Sequence, residues 1–185
     1  MDIQLYAAHP PPAVVDGSVA VYAAAFGQPP YRESAADAQM LRERIARYAG
    51  HAGFRLPVAV DLAGRIGGFA LAVRAYPGDW WRDRVADAIG PELSARWLQP
   101  GVLEVVHLAV DPAVQRRGIG RDLLASLCDS FGASGPGTAV LSCDPAAVAA
   151  QHLYLSLGWH VITAELSYLP GMPPRWLMGA HLRRS

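Results

Sequence analysis

The sequence predicts an α+β fold, and three observations carry that reading. Apolar residues recur at helical spacing early in the chain. Two alternating apolar runs then flank the turn Ala63-Gly64. An almost wholly apolar run, Val102–Val110, is joined through a short glycine-containing loop to an amphipathic helix. Helices therefore come early, a hairpin follows, and the chain closes with a β-α-β unit, a helix and a pair of strands. At 185 residues, 52% apolar and 17% charged, the chain can bury the core that such a fold needs, as one domain over residues 1–185.

Residues 2–8 predict a first strand, ended by Pro10-Pro11-Pro12. Val14 to Phe26 predicts a helix stopped by Gly27 and Pro29-Pro30. Ser34 is an N-cap for a second helix through Met40, Leu41 and Ile45 to about Tyr48, with Gly50 beyond. Strands over about Arg55–Asp61 and Arg65–Tyr76 form the hairpin. After Pro77-Gly78, the spacing of Trp81, Val85, Ala88, Ile89, Leu93, Trp97 and Leu98 predicts a helical insertion at about 77–100, interrupted at Gly90-Pro91.

Val102–Val110 reads as a buried central strand, and Gly118–Phe131 as a helix with Leu123, Leu124, Leu127, Cys128 and Phe131 on one face. Gly132–Gly137 predicts a loop and Ala139–Cys143 a short strand. Asp144-Pro145 predicts a helix start, cap followed by proline at the first helical position, and Gly158 its left-handed stop. Strands at about Trp159–Leu166 and Arg175–Leu182 lie either side of Pro170-Gly171.

A formal net charge of zero implies no general polyanion-binding field, so nucleic acid is not an expected partner. All the basic side chains are arginine, apart from histidines. Cys128 and Cys143 make neither a disulfide framework nor a metal-ligand pattern; both read as buried apolar residues in a reducing compartment, with no metal expected. No apolar run reaches membrane-spanning length, and the first residues lack a basic start followed by an apolar stretch. The sequence thus predicts a soluble, unprocessed, cytoplasmic protein.

The segment richest in chemistry is Val110-Asp111-Pro112-Ala113-Val114-Gln115-Arg116-Arg117-Gly118-Ile119-Gly120. No Gly-Lys-Ser/Thr occurs, which excludes a Walker loop. The glycine spacing fits a dinucleotide fingerprint poorly, because a third glycine and the later acidic residue are missing. What remains is a strand, a turn, and a helix opened by Gly118-Ile119-Gly120. Gly118 and Gly120 carry no Cβ, so backbone can approach an anion there and pack closely on the sheet. Arg116, Arg117 and Arg121 add positive charge at the helix N-terminus. The alternative is an ordinary strand-to-helix turn with solvated arginines.

The run resembles the acetyl-CoA loop of the GNAT superfamily of N-acetyltransferases, Val-x-Pro followed by Gln/Arg-x-x-Gly-x-Gly/Ala. Here Val110-Asp111-Pro112 and Gln115 to Gly120 complete the pattern. Ala150-Gln151-His152-Leu153-Tyr154-Leu155-Ser156-Leu157-Gly158-Trp159 is similar to the same family's second signature, Ala-x-x-Leu-Tyr-x-x-Leu-Gly-Phe/Trp. One position departs: the family often places Asn three residues before that alanine, and here Ala147 stands.

The resemblance implies a central mixed, mostly antiparallel sheet with a splayed pair of parallel strands and helices on both faces. It implies acetyl-CoA (coenzyme A) as the acyl donor and an amine as acceptor. Backbone of Leu108, Ala109 and Val110 would hold the pantetheine arm like an added strand. The N–H groups of Gln115, Arg116, Arg117, Gly118, Ile119, Gly120 and Arg121 would hold the pyrophosphate. An N–H aimed at the thioester oxygen stabilises the charge that develops there.

Tyr154 matches the family's general acid, a phenol able to protonate the leaving thiolate; its alternative is a packed tyrosine at a helix end. Glu104 stands six residues before Val110, where histone-type members carry a base. Period 2 puts residues 104, 106, 108 and 110 on one strand face, and burial raises a carboxyl pKa toward the range a base needs. The alternative is a carboxylate at a solvated strand start or paired with arginine. His107, on the opposite face, reads as a core histidine before it reads as a base, and His152 as exposed.

The acceptor segments implied by the resemblance are Gly27–Glu33 and Tyr76–Trp81, where Tyr31, Trp80 and Trp81 are candidate substrate contacts. The same aromatics suit anchors of the helical insertion or a homodimer contact. Few acidic residues in either segment favour a small or partly apolar amine over a polycation. Acetylation of a protein N-terminus or side chain, and a non-catalytic acyl-CoA-binding regulatory domain, are the competing functions.

Overall fold

The computed structural model describes residues 1–51, 53–131 and 137–182. Residues 132–136, most of the expected loop Gly132–Gly137, lie outside the described residues. In chain order the elements are β1 (Asp2–Tyr6), α1 (Pro12–Phe26), α2 (Ala35–Tyr48), β2 (Leu56–Val60), β3 (Ile66–Ala75), α3 (Trp80–Trp97), β4 (Val102–Val110), α4 (Ile119–Ser130), β5 (Thr138–Cys143), α5 (Val148–Ser156), β6 (His160–Leu166) and β7 (Arg175–His181). The strands make a seven-stranded mixed sheet in the order β1-β2-β3-β4-β5-β7-β6. β4 and β5 are parallel, while β1/β2, β2/β3, β5/β7 and β6/β7 are antiparallel. Two compact units divide the chain, Met1–Val73 with Val105–Ser130, and Arg74–Glu104 with Phe131–Ser185.

In the first unit β1 stops at Tyr6, short of the expected residue 8, and α1 begins at Pro12 rather than Val14. Proline at the first helical position sacrifices no hydrogen bond and arrives with its φ already set, so the third proline opens the helix instead of only breaking the strand. Ser34 caps α2 as expected: its Oγ accepts from Asp37 N, and Asp37 Oδ2 accepts from Ser34 N at 2.7 Å. Val21, Tyr22, Ala38, Leu41 and Ile45 of these helices pack with Phe54, Leu56, Val58, Phe69 and Leu71. Each such buried aliphatic or aromatic side chain contributes about 1.5–3 kcal/mol of transfer free energy.

The opposite face of β3 receives α4, because successive strand residues point to opposite sides. A Cβ at Gly68 would lie 3.0 Å from Ile119 Cγ2, 3.1 Å from Leu123 Cδ1 and 3.2 Å from the Ala109 carbonyl oxygen. Only a glycine lets the first turn of α4 sit that close to the strand. Helices on both faces of the sheet are thus present in this unit.

In the second unit the parallel ladder pairs Leu103 with Ala139 and Glu104 with Val140, while β5 pairs with β7 along its length, from Thr138↔His181 to Cys143↔Trp176. α3 is two helical segments joined at Gly90, whose φ of 79° is left-handed, and Pro91 starts the second segment. Val85, Trp97 and Leu98 pack with Val102, Val140, Leu166 and Leu177, so the helical segment supplies core rather than decorating it. A Cβ at Gly179 would lie 2.6 Å from the Trp97 ring, so that glycine seats the indole on β7.

A further expected boundary is wrong. Asp144 does not cap α5; its Oδ1 accepts from Ala146 N at 2.8 Å and closes a turn of its own. α5 starts at Val148, with Ala147 at the cap position and no side-chain cap. Its end is as expected: Gly158 has φ 80°, and Trp159 N donates to Tyr154 O at 3.1 Å.

Cys143 is buried and Cys128 half-buried, and burial pushes each thiol up to about 11. Among the described residues no group of three or more His, Cys, Asp or Glu is placed to hold a metal ion, and no helix is long and apolar enough to cross a membrane.

Candidate active site

The turn between β4 and α4 is built from its sequence outward. Asp111 N donates to Gly67 O at 2.9 Å, which ties the end of β4 to β3. The Asp111 carboxylate accepts from Ala113 N at 2.9 Å, and Pro112–Val114 forms one turn of 3-10 helix. Gln115 folds back, its Nε2 donating to Val110 O at 3.0 Å. Arg116 and Gly118 then take left-handed backbone angles, φ 65° and 85°.

Alternation of this kind turns successive N–H groups toward one concavity, a backbone nest for anions. Asp122 N is the first helical donor to meet a carbonyl, that of Gly118 at 3.1 Å, so the N–H groups of Ile119, Gly120 and Arg121 stand at the open N-terminus of α4. Gln115, Arg116, Arg117, Gly118 and Arg121 are exposed, Gly120 is half-buried, and Ile119 is buried as the anchor of α4.

The role expected of Gly118 needs correcting. A Cβ there would meet nothing within 4 Å, so Gly118 makes no close contact with the sheet. Its requirement is the positive φ, and the close approach belongs to Gly68 on β3. A glycine inside a strand pattern is the signal that marks Gly68, but only the partner helix reveals its use.

Along β4, Ala109 is buried and Leu108 and Val110 are half-buried. One lone pair of the Val110 carbonyl is taken by Gln115. Glu104 is 7% exposed, in the parallel ladder opposite Val140. Tyr154 is also 7% exposed, with its ring centroid 5.7 Å from that of Trp159. His152 is exposed, as expected.

His107 is half-buried and is held by the α1–α2 side of its unit. Its Nε2 lies 2.6 Å from an Arg44 guanidinium nitrogen, which makes the imidazole the neutral acceptor. The Tyr22 ring meets it edge-on at 5.2 Å. Burial, and then the Arg44 charge, lower its pKa to about 3. Nearby the Tyr22 hydroxyl donates to the Glu33 carboxylate, and burial followed by that carboxylate raises the phenol well above its ordinary value. The α1–α2 segment is thus held by Glu33, a pairing that spacing alone did not disclose.

Of the candidate acceptor contacts, Tyr31 packs edge-on against Phe26 at 4.6 Å. Trp80 and Trp81 both meet Tyr168, each at 6.3 Å between ring centroids. Trp80 is 57% exposed, so it is the ring of the three that faces solvent most. Tyr168 carried no sequence signal, because its partners lie some ninety residues away along the chain.

The chain belongs to the acetyltransferase (GNAT) family, whose profile matches residues 19–159. It is 42% identical over 64 residues to the [ribosomal protein bS18]-alanine N-acetyltransferase of Salmonella typhimurium, a match spanning 35% of this chain and 43% of that protein. Among solved structures it is similar to the ribosomal-protein-S18-alanine N-acetyltransferase of Escherichia coli, with a TM-score of 0.63 at 19% identity over 100% of this chain and 96% of that one. Aminoglycoside 6'-acetyltransferase type Ii gives a TM-score of 0.69 at 18% identity over 100% and 99%. At those identities the structures share the fold.

Proposed function

We propose that this chain is an acetyl-CoA-dependent N-acetyltransferase that acetylates a primary amine of a small molecule by direct attack, its two units working as one domain. The observation that carries the reading is the open N-terminus of α4, from Ile119 to Arg121, behind a turn in which Arg116 and Gly118 are left-handed. N–H donors at the positive end of a helix and beside Arg116, Arg117 and Arg121 fit a pyrophosphate. The backbone of Leu108, Ala109 and Val110 would hold the pantetheine.

Acetyl-CoA, when bound, supplies the activated acetyl group. The rest falls to side chains of this protein. Tyr154 delivers a proton to the departing sulfur, and Glu104 takes one from the incoming amine. Tyr31, Trp80 and Trp81 contact the acceptor. The acidic residues of the two acceptor segments, Glu33 and Asp79, are already engaged by Tyr22 and by the Tyr76 N–H (2.6 Å), which favours a small or partly apolar amine over a polycation. A second reading, acetylation of a peptide N-terminus, is favoured by the 42% identity to an alanine N-acetyltransferase.

Calorimetry with acetyl-CoA, followed by a thiol-release assay over small amines and an alanine-initiated peptide, tests both readings. Binding with thiol release on a small amine is expected. Release with the peptide alone replaces the first reading by the second, and binding without release on any acceptor leaves an acyl-CoA-binding domain. Absence of binding removes the assignment of the loop.

A further inference from the structure

The link between β5 and α5 is held by a side chain that no role above includes. Asp144–Ala147 connects the strand to a nine-residue helix whose cap, Ala147, offers no side-chain acceptor. Helices that short are marginal by themselves, so their place must be fixed from outside.

Gln151, on the first full turn of α5, is 7% exposed. A buried amide is costly unless its hydrogens are bonded. Its Nε2 donates to Pro145 O at 2.7 Å and to Asp144 O at 3.1 Å. Asp144 O also accepts from Ala147 N at 3.0 Å, while the Asp144 carboxylate lies 3.9 Å from an Arg175 guanidinium nitrogen on β7. One amide therefore ties the helix to the C-terminal end of β5. Tyr154 follows three residues later, one turn along the same helix face, and it too is buried.

We infer that Gln151 is a positioning residue, whose amide pins the β5–α5 turn and thereby fixes where the Tyr154 side chain lies. The role goes beyond the assignment of Tyr154 as acid, and only its kinetic consequence rests on that assignment.

The test uses the full chain with ring-13C tyrosine, the Tyr154 signal being assigned by its loss in Tyr154→Phe. Gln151→Met keeps the side chain's length and removes both donors. The Tyr154 ring signal is expected to shift or broaden in that variant, while the Tyr22 signal stays in place. An unmoved Tyr154 signal overturns the inference. Gln151→Leu, which is shorter and also removes the donors, covers the case in which the thioether variant does not fold.

In thiol release from acetyl-CoA with 2-phenylethylamine, Gln151→Met lowers kcat about tenfold, with either KM changed less than about twofold. In a Tyr154→Phe background the same substitution changes kcat less than about twofold. Equal losses in both backgrounds overturn the positioning role. If Tyr154→Phe alone leaves kcat intact, the acid assignment falls and the ring signal still decides the inference.

Discussion

Two turns of this protein open on the same tripeptide and end differently. Asp111-Pro112-Ala113 follows β4, and Asp144-Pro145-Ala146 follows β5. In each the aspartate carboxylate accepts from the alanine N–H two residues on, at 2.9 and 2.8 Å. After the first, five residues including Arg116 and Gly118 in left-handed conformation intervene before α4, whose first hydrogen bond to a carbonyl is that of Asp122 N to Gly118 O. After the second, Ala147 leads directly into α5, and the carbonyls of the turn are used by Gln151. One turn ends in an open helix N-terminus; the other consumes its acceptors to hold a helix. The difference is set by the residues after the shared tripeptide.

If the turns divide the work this way, variants beyond each should affect different quantities. The largest effect is expected at the end of the second helix. Tyr154→Phe lowers kcat by about a hundredfold or more, the range for a general acid, while the dissociation constant for coenzyme A stays within about twofold. Steady-state thiol release and calorimetry on the same preparation measure the two quantities. A Tyr154→Phe variant with normal kcat would leave α5 a purely structural helix.

Gly118→Val is the complementary break. A β-branched residue at φ 85° carries on the order of 1–3 kcal/mol of backbone strain, so the nest opens to escape it. Coenzyme A binding is expected to weaken on the order of tenfold to a hundredfold. No neighbour lies within 4 Å of the new Cβ, so the loss arises from conformation, not from collision. Titration calorimetry reads the loss directly; unchanged affinity would mean that the open N-terminus of α4 holds nothing.

The two turns also differ in how far the chain's own sequence disclosed them. At the first, glycine spacing, the Asp-Pro pair and the arginines all point to one structure, and Val102–Val110 is bounded as expected. At the second, Asp-Pro fits both a helix cap and an independent turn. The choice is made by Gln151, whose amide engages the turn's carbonyls from within the helix, an arrangement that residue spacing does not encode. Gly68 and Gly179 were equally silent, because their use depends on which helix lies over the strand. The order β5-β7-β6 and the meeting of Trp80 and Trp81 with Tyr168 depend in the same way on distant pairing. Local chemistry was readable; close approach between remote segments was not.

The smallest effects should come from the shared aspartates, and they sharpen the contrast most. Asp111→Ala removes the hydrogen bond from Ala113 N and loosens a loop that ends in the nest, so coenzyme A affinity is expected to fall a few-fold, with about 1 kcal/mol of stability lost. Asp144→Ala removes an equivalent bond and also the carboxylate facing Arg175, whose guanidinium Nε is buried without a partner. Its stability loss should therefore exceed that of Asp111→Ala, on the order of 1–2 kcal/mol, while coenzyme A affinity is unchanged. Urea unfolding ranks the stabilities and calorimetry the affinities. Equal shifts in both quantities for the two variants would show that the shared tripeptide, and not the residues after it, governs the two turns.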